Sequence, residues 1–336
     1  MNFYIKRFIR SALTFLAVVT ITFVLTRLMP GGPVDYVTAQ VRRQNPQASE
    51  EQINAMVQAY IGVMPDKPLY EQYIDYFVGI LQFDLGQSFF YGRSVTSIYA
   101  EAIPWTLFIL GTATLISFII AVALGAVMAY EEGTRFDFIA STLSIILNSV
   151  PYYIAAIVFI AIFVTILGWL PSGGRSSIDT TAGFNLPYIV DVLKHAAMPI
   201  ASVVITGFGG QALGMRGNSI SVLGKDYIRV ARLRMLPTHR IAIRYVAHNA
   251  ILPIYTGFVI GIAFILGGSV ILEEIFNYPG VGYYFFASIS SRDYPLMMGG
   301  FIIISTAVVI AVVVADMTYG FIDPRASAGG EASESY

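Results

Sequence analysis

Apolar residues gather into six long runs, at about 9–28, 104–129, 138–168, 196–221, 252–273 and 297–320. Each reaches the roughly 20 residues that a helix needs to cross about 30 Å of hydrocarbon. Arg216 and Asp316 fall near the ends of their runs. A charge at a span centre would cost about 2.5–3.5 kcal/mol, and the runs avoid that cost. The pattern predicts an all-α integral membrane protein with six transmembrane helices.

The first run follows Lys6, Arg7 and Arg10 and ends in Arg27-Leu28-Met29-Pro30. No small-x-small cleavage site follows it, so it reads as a retained helix rather than a removed leader. Basic residues in short loops set orientation. Three stand at the N-terminus and six in the 222–251 loop, whereas the 274–296 loop holds only Arg292. With six spans, the N-terminus, the 130–137 loop, the 222–251 loop and the C-terminus share one side, expected to be cytoplasmic.

The polar stretches carry structure of their own. The predicted organisation is residues 1–28 as cytoplasmic N-terminus and first span, 29–103 as a large external loop, 104–320 as a five-helix core, and 321–336 as a small polar tail expected to be disordered. Within the external loop, Ser49-Glu50-Glu51-Gln52 has the form of a capping box and predicts a helix to about Tyr60. Leu69, Tyr73, Tyr76, Phe77 and Ile80 recur at helical spacing and predict a second, from Pro68 to Leu81. This loop reads equally as a cap over span ends or as a docking surface for an external protein.

Composition sharpens the class. The chain is 56% hydrophobic and 12% charged, about half the charge of a soluble domain, so it is a membrane protein by composition alone. A single basic loop against a membrane is poor support for nucleic-acid binding. Cysteine is absent, which excludes disulfides and thiolate metal sites. The three histidines lack a metal-binding spacing, and there is no phosphate-binding Gly-rich loop with Lys-Ser/Thr. The chain is therefore not expected to be an enzyme or to hydrolyse ATP itself.

The 222–251 loop holds Lys225, Arg229, Arg232, Arg234, Arg240 and Arg244. Positive-inside placement accounts for the charge count alone. The order of residues adds more. Tyr227, Val230 and Ala231 can share one helix face and Arg229 and Arg232 another, while Pro237 disfavours helix at Leu236. This predicts a short amphipathic helix, a break and a second helical approach to the next span, a shape suited to a groove on a partner.

Asp226-Tyr227-Ile228-Arg229-Val230-Ala231-Arg232, with Asn249-Ala250-Ile251-Leu252-Pro253 downstream, resembles the ATPase-coupling motif of ABC importer permeases of the dipeptide, oligopeptide and nickel type. The family glycine three residues after Arg232 is replaced here by Met235. Further stretches resemble the same family in order and spacing: Arg27–Pro33, Asp84-Leu85-Gly86-Gln87-Ser88, Glu273–Gly282, Arg292-Asp293-Tyr294-Pro295 and Asp323-Pro324-Arg325. In type, the chain resembles the first permease of a pair.

The resemblance implies a type I ABC importer permease fold and half of a translocation pathway for short peptides or a related small solute, working by alternating access. Relatives of this fold also carry nickel, glutathione or oligosaccharides. Implied partners are a second homologous permease, cytoplasmic ABC ATPases that would hold ATP and Mg, an external substrate-binding protein and the bilayer of the cell membrane. Asp226, Tyr227, Arg229, Ala231, Arg232, Arg234, Asn249 and Pro253 are the implied coupling residues, with Ala231 small so that its helix can enter a groove. Asn148, Ser149 and Pro151 put polar groups and a helix breaker inside the third run and predict a kinked, pathway-facing helix. Glu273 and Glu274, at the end of the fifth run, are expected either to face water or to serve an outer gate. Gly207, Gly209, Gly210 and Gly214 in the fourth run predict close helix packing. The alternative function is a self-contained secondary transporter, whose inverted repeats and midplane ionisable residues are not found in the sequence; a non-transporting scaffold or receptor is a further alternative.

Overall fold

The computed structural model describes residues 3–28, 33–61, 67–237, 240–265 and 269–322. Helix dominates, and among these residues pairing of extended backbone is limited to one antiparallel bridge, Gln87 with Ser94. Residues 29–32 of the Arg27–Pro33 match, the Asp323-Pro324-Arg325 match and the tail lie outside the described residues. The chain divides into two compact units.

The first unit comprises residues 1–106, 266–274 and 279–313. It holds α1 (Phe3–Leu28), α2 (Pro33–Gln44), α3 (Glu50–Ile61), α4 (Leu69–Leu81), the start of α5 (Val95–Tyr130), most of α11 (Val270–Ile275), α12 (Val281–Ser290) and most of α13 (Tyr294–Ile322). The capping box forms as the sequence predicts: the Ser49 N–H donates to Gln52 Oε1 at 3.0 Å and the Gln52 N–H to Ser49 Oγ at 3.3 Å. Helix α4 also forms. Its Tyr76 and Ile80 pack with Val19 and Phe23 of α1 and Met298 and Ile302 of α13, so the partner of this face is other helices. Leu69, expected on the same face, points outward instead. Helix α2 is not predicted by the sequence pattern; its Val37 and Val41 join Ile53 and Val57 of α3 in a small core.

The second unit comprises residues 107–265, 275–278 and 314–336. It contains the rest of α5, α6 (Arg135–Asn148), α7 (Tyr152–Phe159, continued as π-helix over Ile160–Ile166), α8 (Leu186–Leu223), α9 (Asp226–Leu233) and α10 (His248–Ile265), led in by π-helix over Ile241–Ala247. Helix α8 is the hub, with α6, α7 and α10 packed on it. Its small residues permit that. A Cβ on Gly209 would collide with the Ser144 carbonyl oxygen of α6, so only glycine admits this approach. Close packing is what Gly209 and Gly210 of the fourth run serve, and Gly214 is tight against Ile254, whereas Gly207 has room for a side chain.

Among the described residues, four helical stretches are long and apolar enough to cross a membrane: Val95–Tyr130, Leu186–Leu223, Arg244–Ile262 and Tyr294–Val314. The third run breaks where Asn148, Ser149 and Pro151 predict a kink. It is two helices bent by 90° around Ser149–Pro151, because Pro151 lacks an N–H to continue α6 and instead starts α7. Counted together the pair makes a fifth candidate, and the described apolar part of α1 is the shorter Ile9–Leu25. The fourth span begins earlier than expected. Asn185 caps α8 by accepting the Tyr188 N–H at 2.9 Å, so helix runs from Leu186 where a loop to residue 195 was expected.

Candidate functional site

The 222–251 segment belongs to the second unit and is built around α9. The chain leaves α8 at Gly224, and Lys225 precedes the first turn of α9, where Asp226 faces the positive helix end. Ile228 and Ala231, at i and i+3, are buried with Ile241 and Val246. The far side carries Val230 and Leu233, which are 49% and 75% exposed, flanked by Tyr227 at 44%. Ala231, at 3%, is therefore not on the face of Tyr227 and Val230 as expected. Its small size serves contact with its own chain, and the surface left for another molecule is Tyr227, Arg229, Val230 and Leu233.

The end of α9 explains the position where Met235 replaces glycine. Met235 has φ +55°, in the left-handed region. Its N–H donates to the Arg232 carbonyl at 2.9 Å, and the Leu236 N–H donates back to Ala231 at 3.3 Å. This pair of bonds is a Schellman motif, and Leu236 packs against the Ile228–Ala231 cluster as its apolar contact. The bend therefore sits at Met235 itself, and Pro237 follows by accepting the Arg240 and Ile241 N–H groups.

Downstream, Asn249 donates to the Tyr245 carbonyl at 2.7 Å, while Ala250 is buried and its carbonyl accepts from Asn218 of α8 at 3.3 Å. Pro253 sits inside α10 and removes the N–H that would bond the Asn249 carbonyl. Thus Asn249-Ala250-x-x-Pro253 ties α10 to the end of α8, next to α9. None of the six cations of this segment has a carboxylate partner among the described residues. Arg229, Arg232, Arg234, Arg240 and Arg244 are all exposed.

A residue that the sequence pattern does not single out holds the base of this region. Asp137 takes a bidentate bond from Arg216, Nε to Oδ1 at 2.6 Å and Nη2 to Oδ2 at 2.7 Å. It also accepts the Gly133 N–H and the Ser141 hydroxyl, and its own N–H is capped by Thr134 Oγ1. The carboxylate is buried while Arg216 is partly exposed. Thr134-x-x-Asp137 ahead of an apolar run is a legible N-cap signature; its pairing with Arg216 across 79 residues is not.

Of the proposed pathway residues, Asn148 accepts the Gly210 N–H at 3.2 Å from the end of α6, and Ser149 bonds back to Ile145 at the break. The water-facing position expected for Glu273 is corrected. Glu273 is 1% exposed within the first unit. It accepts from Thr106 Oγ1 at 2.7 Å and from the Tyr283 N–H at 3.0 Å, while Thr106 Oγ1 accepts the Val281 N–H at 2.8 Å. The carboxylate thus serves the orphan N–H groups at the start of α12. A Cβ on Gly280 would lie 2.5 Å from both Glu273 and Thr106, so that position admits only glycine. Glu274 is only partly covered. Asp293 joins two of the motifs of the sequence: it accepts from Ser88 Oγ at 2.5 Å and from the Phe90 N–H at 3.0 Å.

Among the described residues the chain is helical, with an exposed basic helix between two candidate membrane spans. Residues 121–328, more than half of the chain, match the family model described as "Binding-protein-dependent transport system inner membrane component". The chain belongs to that family, and it is a permease subunit of an ABC importer. It is 31% identical to the di/tripeptide transport system permease protein DppB of Pseudomonas aeruginosa (strain UCBPP-PA14), covering 93% of this chain and 94% of that protein. It is 29% identical to the oligopeptide transport system permease protein AppB of Bacillus subtilis (strain 168), over 96% and 98%. It is 30% identical to the oligopeptide transport system permease protein OppB of Haemophilus influenzae, over 97% and 99%.

Proposed function

We propose that this chain forms half of the translocation pathway for short peptides, in a complex with a second homologous permease, cytoplasmic ABC ATPases and an external binding protein. The substrate class follows the names of the relatives, which transport dipeptides, tripeptides and oligopeptides. In this reading six spans cross the cell membrane with both termini in the cytoplasm, and residues 29–103 form the external loop. The chain is non-catalytic; ATP and Mg belong to the ATPases.

The observation that carries the reading is α9. It is anchored on one side by Ile228 and Ala231 and offers Tyr227, Arg229, Val230 and Leu233 on the other. A short helix with an apolar centre and unpaired arginines fits a groove on an ATPase lined with carboxylates or carbonyls. Asn249, Pro253 and Arg234 hold or border this element. ATP-driven movement of the ATPases would displace α9, and α8 and α10, joined through Asn218 and Ala250, would pass that displacement to the membrane.

Mild-detergent affinity purification from native membranes, with mass spectrometry of the co-purifying proteins, tests the assembly. Recovery of a second permease, an ATPase and a binding protein is expected. Recovery of this chain alone, folded across several detergents, would remove the importer assembly and favour a self-contained carrier.

A further inference from the structure

A half-open cavity of about 360 Å³ in the second unit is lined on α9 by Arg232, and neither Val230 nor Leu233 lines it. Its walls are the last turns of α5, at Ala126, Ala129 and Tyr130, with Leu236, Ile241 and Val246 of the segment that follows α9. All but the tyrosine are apolar. The one charged group on the wall is Arg232, which has no carboxylate partner among the described residues. An aliphatic slot, one free guanidinium and one phenol at the end of a spanning helix form an amphipathic site.

We propose that this cavity holds an acyl chain of an anionic phospholipid from the cytoplasmic leaflet, with the phosphate on Arg232 and Tyr130. The proposal rests on the cytoplasmic placement of the 222–251 segment. Three observations favour a lipid over a protein side chain. The cavity is walled by the end of a spanning helix, where acyl chains are the ambient solvent. It lies off the outward face of α9, so a protein docked on Val230 and Leu233 leaves it to the leaflet. The segment around it carries six cations and a single acid, Asp226, and such basic pockets at the cytoplasmic surface favour anionic headgroups. A lipid there would wedge between α5 and the support of α9, making coupling sensitive to leaflet composition.

The test uses the complete transporter in nanodiscs of phosphatidylglycerol and phosphatidylethanolamine. Phosphatidylglycerol with a photoactivatable diazirine in its acyl chain is the probe, and labelled peptides are mapped by mass spectrometry. Labelling is expected to concentrate on peptides holding Ala126–Tyr130 and Leu236–Ala247. The reference is α6, whose exposed Phe138 and Ile139 report bulk lipid. Unlabelled phosphatidylglycerol should compete and phosphatidylethanolamine should not. Ala126→Phe, which fills the slot from α5, should lower labelling about tenfold, the loss expected from about two displaced methylenes. Arg232→Gln should keep acyl labelling but abolish the preference for phosphatidylglycerol.

Labelling no higher than on α6, or equal competition by both lipids, overturns the proposal. So does exclusion of the probe together with cross-linking of an Ala247→Cys variant to a co-purified subunit, which would assign the cavity to protein. If Ala126→Phe does not accumulate, the wild-type competition alone decides. Failure of the importer reading would show separately, in the subunit composition of the same preparation.

Discussion

At the scale of single residues, three helices end in the same way without glycine. Phe83, Met235 and Arg292 all have positive φ, and each is followed by the back-bonded pair of a Schellman motif. At Met235 the side chain is 90% exposed and contributes no core contact, so the cost of the left-handed backbone outweighs anything the side chain adds. Met235→Gly is expected to stabilise the protein by about 1 kcal/mol, read as a higher unfolding temperature of the purified transporter. An unchanged or lower temperature would show that φ at this position is not strained. The sequence revealed that a glycine was missing from the motif but not that methionine keeps its conformation, because the left-handed turn goes with Leu236 packing on Ile228, Ala231, Ile241 and Val246, a contact that spacing alone does not show. Glu273 shows the same limit. Its proximity to a predicted span end was legible; its bond to Thr106, 167 residues away, was not. Gly280→Ala is expected to destabilise by about 2 kcal/mol, in the range of overpacked sites, since the new methyl would fall on Glu273 and Thr106. Wild-type thermal stability of that variant would show that the α12 cap can shift to make room.

At the scale of elements, α9 has two faces with separable roles. Trp at Ala231 would have to enter the Ile228–Ile241–Val246 cluster and would unseat the helix from its own chain. Val230→Asp and Leu233→Asp alter only the outward face. The outward variants are expected to keep expression and melting temperature while losing ATP-driven uptake, whereas Ala231→Trp loses both; uptake by Val230→Asp at the wild-type rate would remove the docking assignment. The sequence placed the helix and the existence of a break, since Asp226 and Pro237 mark the segment locally, although the bend itself falls earlier, at Met235. It misassigned the faces, because periodicity cannot say which of two apolar stripes meets its own chain. The Asp137–Arg216 pair joins α6 to α8 below this helix. Removing Asp137 would leave Arg216 facing a partly buried site, and Asp137→Ala is expected to cost about 3 kcal/mol. In a double-mutant cycle with Arg216→Ala by thermal denaturation, the double variant should recover part of that loss; additive losses would mean that the bidentate bond carries no coupling.

At the scale of the whole molecule, the bent pair decides topology. Helix α6 is about 21 Å long, and α7 with its π-helical continuation is about 22 Å, so neither alone spans about 30 Å of hydrocarbon. If the pair crosses the membrane together, the loop before α8 is external and α9 is cytoplasmic. If it dips in and returns, every later segment inverts: the loop before α8 becomes cytoplasmic and the six cations of the α9 segment face outward, against the positive-inside tendency. The chain contains no cysteine, so single-cysteine variants report without background. Phe184, before α8, and Leu233, on α9, are both well exposed. In intact spheroplasts a membrane-impermeant maleimide is expected to label Phe184→Cys at once and Leu233→Cys only after permeabilisation. The reverse pattern would make the pair re-entrant and would place α9 out of reach of any cytoplasmic ATPase. Charge asymmetry alone favours the first outcome, since it reads the net sidedness of the α9 loop without knowing how the third apolar run is bent.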